Sequence, residues 1–555
     1  MSSESCRARR GRLGALLLLA VPLFGARPAS AQDMEPPPSE PAPSEPFAPG
    51  PFAPESVAEG ASADAFGTPS GPMAFPGGYE LAELSASDRM EVGGGTPLTL
   101  GQVLSSVERH HPSMESARQR VRAAEGEQLA AEGGFDLGLS ANGWISPQGY
   151  YDWGRANVQL TQPTPLWGAR FYAGWRIGRG PIEGGTSGGI PDYYGNYETL
   201  DLGELRAGVS VPLWRDGPID SRRARIWRAE HGLAAEEASL QGRQLSMRMA
   251  ATSTYWSWVA AGVKYEIASR LLDLAEQRDE QIATRARSGA IPPIEMLENR
   301  RVILARRTSL VSARRALEQK AIALSLYLRR NDGSPLVPPP DRLPMALPER
   351  EALTVNLRRE VEAAWSRRPE IERYRALIAR QRVQLDYYEN RLAPQINVGV
   401  QASVDIGGGT ETDTEQDTLG RPVVEGSVYL SMPFQFREAR GGIRQGRAYL
   451  ASLRADAQLA RDRVAADVQD AYSALTAARE RADLARQSAD AAEAVAEAER
   501  RRFELGATQL FIVNLREQSA ASARASQATA EAVLQVAHAR WEVVTAQGLA
   551  PPPED

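Results

Sequence analysis

The chain has 555 residues, a formal net charge of −6 and 24% charged residues. This acidic balance argues against a general nucleic-acid binder. Cys6 is the only cysteine, which excludes a disulfide within the chain and a metal site built from several cysteines.

Residues 1–31 have the pattern of a secretory signal peptide. Several arginines precede the apolar run from Leu16 to Phe24, and Ala29-Ser30-Ala31 follows as a cleavage site. The apolar run is too short to cross a bilayer as a retained helix. Removal of this segment takes away five arginines and one glutamate, so the net charge becomes −10. No cysteine follows the cleavage site, which argues against an N-terminal lipid anchor.

Residues 32–95 are rich in proline, glycine, serine and alanine, as in Pro36-Pro37-Pro38. Such a segment cannot bury enough apolar surface to offset the entropy lost on folding. We therefore predict a disordered linker between the signal peptide and the folded part.

From Leu98 onward the same order of elements occurs twice. Each copy has a short helix, a region of alternating strands that ends near a proline, and a very long helix that stops at a glycine. Pro212 and Gly289 are 77 residues apart, and Pro433 and Gly506 are 73 residues apart. These near-equal spacings predict an internal two-fold repeat, with a first repeat at 96–335, a second at 336–548 and a tail at 549–555.

The strands of the second repeat are predicted at 395–436. Apolar and polar residues alternate from Gln395 to Ile406 and again from Val424 to Phe436, so each segment has one apolar and one polar face. The pattern suits a transmembrane barrel with a wet lumen, although a soluble sheet with one solvated face gives the same alternation. In a barrel the lumen would be lined by Gln395, Asn397, Gln401 and Ser403.

The first repeat has 36 more residues than the second between its two prolines, 112 to 212 against 369 to 433. Its strands, at about 135–213, comprise four alternating segments, with many aromatic residues that suit an interfacial girdle and an external loop. If all four segments join the barrel, each chain contributes six strands rather than four. The short segment from Asn157 to Thr161 instead favours an extra pair outside the membrane, and the two alternatives stay open.

The long helices are predicted from about Ile219 to Arg287 and from about Arg444 to Phe503. Each would extend for about 100 Å at 1.5 Å per residue. Apolar residues recur at heptad spacing, as in Ile303, Leu310 and Leu317, so we expect these helices to pack as coiled coils.

Catalytic patterns are absent from the sequence. Neither of the two lysines, Lys264 and Lys320, follows a glycine as in a phosphate-binding loop, the four histidines lack metal-ligand spacing, and no G-x-S-x-G motif occurs. We therefore expect no enzyme activity, no cofactor and no metal site.

The double order of elements, together with the turns at Ala286-Arg287-Ser288-Gly289-Ala290 and Phe503-Glu504-Leu505-Gly506-Ala507, resembles the TolC-like outer membrane efflux proteins of Gram-negative bacteria. The resemblance covers about residues 98–548. It implies an α+β membrane protein in which a homotrimer shares one transmembrane β-barrel in the outer membrane lipid, continuous with a long periplasmic α-helical coiled-coil barrel. It also implies docking to a periplasmic adaptor protein and, indirectly, to an inner membrane pump.

The resemblance further implies site residues. The two helical tips, which would dock the adaptor, comprise Ser288, Gly289, Ala290, Leu505, Gly506 and Ala507. Glu295 and Glu298 follow the first tip where the family has acidic residues at the constricted tunnel entrance, although the family has them in its second repeat. Carboxylates in a first helical turn also simply suit the helix dipole, so both interpretations of this pair stay open.

Two functions are compatible with the sequence. One is an outer membrane channel of a tripartite efflux or type I secretion system, a passive conduit from the periplasm to the exterior. The other is a non-conducting coiled-coil scaffold or adhesin anchored in the outer membrane. The polar lumen residues favour the channel, because a scaffold barrel could be filled with apolar side chains.

Overall fold

The computed structural model describes residues 96–148, 153–179, 199–289, 291–344, 347–348, 355–408 and 421–547. The predicted signal peptide, the predicted linker, Ala290 and the predicted tail lie outside the described residues. All statements below concern the described part of the chain.

Eight α-helices and six β-strands make up the described residues, with short 3-10 turns at Gly133–Phe135 and Pro340–Arg342. The helices are α1 (Leu100–His110), α2 (Pro112–Glu132), α3 (Ser221–Arg287), α4 (Ile294–Ser325), α5 (Leu357–Arg367), α6 (Pro369–Asn390), α7 (Arg437–Glu504) and α8 (Leu510–Val544). The strands are β1 (Gly138–Ser146), β2 (Trp153–Pro163), β3 (Arg170–Arg179), β4 (Glu204–Pro212), β5 (Gln395–Asp405) and β6 (Val423–Ser431). The fold is therefore a mixed α+β fold with long helices attached to one sheet.

All six strands form one antiparallel sheet in the order β1-β2-β3-β4-β5-β6. The register keeps residues of like polarity side by side. Val209 of β4, for example, lies opposite Phe171 of β3 and Val400 of β5. Because side chains alternate between the two faces of a strand, this register gives the sheet one apolar and one polar face.

Two strands differ in length from the sequence-based expectation. Strand β2 has 11 residues, so the segment expected at Asn157–Thr161 is the middle of a longer strand. Gly154 and Ala156 do not continue a clear apolar pattern, but they pair with β1 and β3. Strand β6 ends at Ser431, before Phe436, because Pro433 has no backbone N–H for a strand ladder.

The helices α3 and α7 have 67 and 68 residues and extend for about 100 Å each. Toward the sheet, α2 and α6 pack beside them. Toward the other end, α4 packs along α3 and α8 packs along α7, and α8 also contacts α3. None of the described helices has a stretch long and apolar enough to cross a bilayer.

Two buried apolar clusters hold the short helices α1 and α5 against the long ones. In the first cluster, Val103 of α1 packs with the fully buried Trp258 of α3. In the second, Ala364 of α5 packs with Val468 of α7 and with Trp541 of α8. The two clusters fix the lateral packing of the helices on which the sheet and the tips depend.

Candidate functional site: the polar face of the sheet and the two helical tips

The polar face of the sheet has a dense set of hydrogen-bonding side chains. They alternate with the apolar residues on every strand and include Ser140, Asn142, Arg155, Asn157, Gln159, Tyr172, Arg176, Glu204, Arg206, Asn397, Gln401, Ser403, Glu425 and Ser427. Arg176 of β3 forms an ion pair with Glu204 of β4. A face of this composition is typical of contact with water or polar solutes.

Arg206 lies flat across the neighbouring strand instead of extending away from the sheet. From β4 it crosses β3 and donates to Asn157 Oδ1 at 2.6 Å and to Gln159 Oε1 at 2.7 Å on β2. The residue of β3 between them is Gly174, which is the register partner of both Arg206 and Gln159. A Cβ at position 174 would lie 2.7 Å from Val158 O, so the close approach of β2 to β3 requires glycine at this point.

Tyr172 crosses a strand in the same way. From β3 its hydroxyl donates to Gln401 Oε1 of β5 at 3.0 Å. The residue of β4 between them is Gly208, where a Cβ would lie 2.5 Å from the Tyr172 ring. Gln401 in turn donates to Glu425 of β6 at 3.4 Å. The side chains of Arg206 and Tyr172 thus lie flat on the polar face of the sheet.

The four predicted lumen residues, Gln395, Asn397, Gln401 and Ser403, all lie on the polar face of β5. Two aromatic residues of the first repeat, Trp144 and Tyr172, lie on this face as well. Trp144 stacks with the guanidinium of Arg155, 4.8 Å from the ring centroid. Strand parity turns these two residues away from the apolar face, on which a lipid-facing girdle would lie.

The opposite face of the sheet is apolar and exposed. Val428 of β6 is 75% exposed, Ile145 of β1 71% and Leu139 of β1 69%. Toward the middle, Leu160, Ala173, Ala207 and Ala402 continue the same face. An exposed apolar surface that spans a whole sheet is typical of contact with lipid or with another protein.

Both helical tips end at a glycine with positive φ, 72° at Gly289 and 74° at Gly506. At the second tip, Gly506 N–H donates to Phe503 O and Ala507 N–H donates to Arg502 O, at 3.0 and 2.8 Å. This pair of hydrogen bonds is a Schellman motif, which satisfies the last carbonyls of the helix. The tip also exposes large apolar side chains, with Leu505 83% exposed.

Glu295 lies in the first turn of α4, next to the first tip, and Glu298 follows it in the same helix. Glu298 accepts two hydrogen bonds from Arg301, at 2.6 and 3.1 Å. The hydrogen bond from Arg301 lowers the pKa of the Glu298 carboxyl. Part of the negative charge expected at this site is therefore neutralised within the same helix.

A buried ionic cluster lies between the long helices near the tips. Its centre is the carboxylate of Glu517, whose side chain is 1% exposed. Arg278 of α3 and Arg306 of α4 both donate to it, Arg306 at 3.0 Å, and Arg500 of α7 lies 3.4 Å away. One carboxylate from α8 thus contacts α3, α4 and α7.

The electrostatics of this cluster favour the charged carboxylate. Burial acts to raise the pKa of Glu517, but hydrogen bonds and positive charge from Arg278 and Arg306 outweigh it, so the pKa is lowered. Burial also lowers the pKa of Arg306 despite its contact with Glu517.

Sequence reasoning missed this cluster, although a signal was present. Arg306 lies between Ile303 and Leu310 in the heptad series of α4, and Glu517 lies between Val513 and Ala520 in the buried series of α8. A charged residue at an apolar heptad position indicates a buried ionic contact. Among the described residues, no group of three or more histidine, cysteine, aspartate or glutamate side chains could hold a metal ion.

Comparison with solved structures defines the class of this fold. The Campylobacter jejuni CmeC outer membrane channel is 12% identical, with a TM-score of 0.56 over 82% of this chain and 87% of that chain. The Neisseria gonorrhoeae MtrE outer membrane channel in its open state is 15% identical, with a TM-score of 0.57 over 82% and 91%. VceC from Vibrio cholerae is 15% identical, with a TM-score of 0.54 over 80% and 95%. The chain has the fold of the outer membrane channels.

The family comparison agrees with this class. Residues 361–548, which contain the end of α5, helices α6 to α8 and strands β5 and β6, match the model of the outer membrane efflux protein family. No curated protein sequence matches the chain. The resemblance to TolC-like outer membrane efflux proteins that the sequence indicates is confirmed by the family match and by the fold.

Proposed function

We propose that the protein is the outer membrane channel of a tripartite efflux or type I secretion system in a Gram-negative bacterium. Three copies share one transmembrane β-barrel, and their long helices form a tunnel into the periplasm. The chain is exported by a cleaved signal peptide and has no enzyme activity. It is a passive conduit, and an inner membrane pump supplies the energy.

One observation carries this proposal: a sheet with two chemically opposite faces is attached to helices about 100 Å long. Each strand has 9 to 11 residues, the length of a transmembrane β-strand. Lipid would contact the apolar face and water the polar face. The repeated order of two helices, strands and a long helical hairpin supports an internal two-fold repeat.

The helical tips support docking to a periplasmic adaptor. Leu505 is 83% exposed, Leu297 64% and Ile294 63%. Large apolar side chains at the end of a long helical hairpin are costly to leave in water, so a partner that covers them stabilises the contact. Glu295 and Glu298 lie beside these residues and form the candidate gate.

Conductance of purified trimers in planar bilayers tests the channel against the non-conducting scaffold. The mature chain has no cysteine, so a single cysteine can be placed on either face of β5. A charged thiol reagent should reduce the conductance of the Asn397→Cys channel, because residue 397 lies on the polar face. Val398→Cys is the matched control, since the adjacent side chain points to the apolar face. Trimers without conductance would favour the scaffold.

A further inference from the structure

We propose that β6 of one copy pairs with β1 of the next, so that a trimer closes an 18-stranded barrel instead of a 12-stranded one. The proposal rests on the trimeric channel proposed above. The partner proposed for the two edge strands of the sheet is a second copy of this chain.

All six strands are equivalent members of one sheet. The shortest strands, β1, β4 and β6, have nine residues, which is enough for a tilted crossing of the hydrocarbon layer. The apolar face continues without interruption from Leu139 of β1 to Val428 of β6. A hairpin that projected into external solvent would have no reason to continue that face.

Side-chain hydrogen bonds on the polar face involve all six strands of the sheet. Asn157 of β2 donates to Asn142 of β1 at 2.9 Å and also accepts from Arg206 of β4. Tyr172 of β3 bonds to Gln401 of β5, which bonds to Glu425 of β6. Two of these side chains reach over an intervening strand, Arg206 over β3 and Tyr172 over β4. The hairpin of β1 and β2 therefore cannot separate from the sheet without breaking the hydrogen bonds of Arg206.

The two edge strands of the sheet are open to a further partner. Strands β1 and β6 each have one neighbour in the sheet, and eight of the nine residues of each are exposed. Within hydrocarbon, no water is present to satisfy an unpaired row of backbone N–H and C=O groups, so a sheet must close. Six strands are too few to close alone around side chains as large as Arg206, because eight already give an interior that side chains fill.

The geometry of the edges fits a second copy. Because the strand number is even and every pairing is antiparallel, β6 and the β1 of the next copy also run antiparallel. Both strands have nine residues, so they can pair along their full length. The central residues, Asn142 and Ser427, both lie on the polar face, and pairing them would continue both faces across the junction.

The consequence is a wider pore through the membrane. Barrel diameter grows roughly linearly with strand number, so 18 strands give a diameter about half as large again as 12. Barrels of about 16–18 strands leave an aqueous channel. The flat side chains of Arg206 and Tyr172 keep that channel open instead of filling it.

Disulfide cross-linking tests the pairing. Ser427→Cys is combined in one chain with Ser140→Cys, Asn142→Cys or Trp144→Cys, three positions on the polar face that cover different staggers of the strands. Paired strands hold opposite Cα atoms about 4.5–5.5 Å apart, within disulfide reach. At one of the three positions, oxidation should convert most of the trimer to a covalently closed trimer.

The competing 12-stranded barrel predicts a different cross-link. There β6 would pair with β3 of the next copy, so Ser427→Cys with Tyr172→Cys would give the covalent trimer. That result, or native trimers without a cross-link at any β1 position, would overturn the 18-stranded barrel while leaving the channel intact. A chain that forms no trimers would instead overturn the proposed function.

A second measurement does not depend on cross-linking. Single cysteines at Ala141 of β1 and Ala156 of β2 are labelled with a fluorophore and compared with Ala402 of β5, all on the apolar face. Quenchers attached to lipid chains should quench all three to a similar extent. Quenching at 402 alone would place β1 and β2 outside the membrane and refute the inference.

Discussion

Glu517 should be indispensable for closing the helices near the tips. Glu517→Gln keeps the size of the side chain but removes its charge, which leaves the buried guanidiniums of Arg278 and Arg306 without a counter-ion. Their side chains are 9% and 5% exposed. Removal of one partner from a buried ion pair typically costs about 3–5 kcal/mol, and we expect a local loss of this size.

Hydrogen exchange of the assembled trimer is the appropriate measurement, because it reports local opening separately from the sheet. Amides of α3, α4, α7 and α8 near the tips should exchange on the order of 100-fold faster or more, whereas strand amides should not change. Glu298→Gln is the matched control. Its ion pair with Arg301 is exposed, so that substitution should change local stability by at most about 1 kcal/mol.

The pH dependence follows from the lowered pKa of Glu517. A carboxyl whose pKa is lower in the folded state contributes stability above its unfolded pKa and loses it as the pH falls through the folded pKa. The tips should therefore be stable at neutral pH and open below the usual carboxyl range. In Glu517→Gln this pH-dependent step should disappear. Equal exchange in Glu517→Gln and Glu298→Gln would refute the reasoning.

Three further predictions concern the tips, the wall and the entrance. Gly506→Ala should destabilise the second tip by about 1–2 kcal/mol and weaken cross-linking to the adaptor, because alanine is strained at φ 74°. The control Gly441→Ala lies inside α7 with open space around it and should be neutral or stabilising. Equal effects of the two substitutions would show that the tip does not depend on the positive φ of its glycine. Gly208→Ala should displace the Tyr172 ring toward the pore, which lowers conductance and destabilises the sheet by about 1–3 kcal/mol. In the control Gly426→Ala, the added Cβ meets no neighbour, so no such effect is expected. Unchanged conductance in Gly208→Ala would argue against a Tyr172 side chain held flat on the sheet. Glu295→Gln combined with Glu298→Gln should lower the cation selectivity of the channel, measured by reversal potentials. An unchanged reversal potential would leave the two carboxylates only with their favourable interaction with the helix dipole.

Local pattern was sufficient to predict many elements but not their mutual arrangement. The alternation from Gln395 to Ile406 depends only on which face each residue occupies, so it is legible in the sequence. The full length of β2 is not, because Gly154 and Ala156 become strand residues through pairing with β1 and β3. The crossing of Arg206 over Gly174 also depends on register between strands about 30 residues apart, which a single sequence does not specify.

The buried ionic cluster was within reach of the sequence. Arg306 and Glu517 interrupt apolar heptad series, and this irregularity could have been noticed. Their partnership could not, because the two residues are separated by 211 positions and meet only after the helices pack. Burial of a charged side chain at an apolar position is unfavourable unless the fold brings a counter-ion to it.

In the channel proposed above, the hydrogen bonds along the polar face have a kinetic consequence for a transported molecule. The amide oxygens of Asn157, Gln159 and Gln401 already accept hydrogen bonds from Arg206 or Tyr172. A passing solute meets fewer free donors and acceptors and less side-chain motion, so it is held weakly at any one point. Conduction needs binding that is weak enough to release the solute. A wall whose polar groups bind one another therefore favours rapid transit of chemically different solutes over retention of any single one.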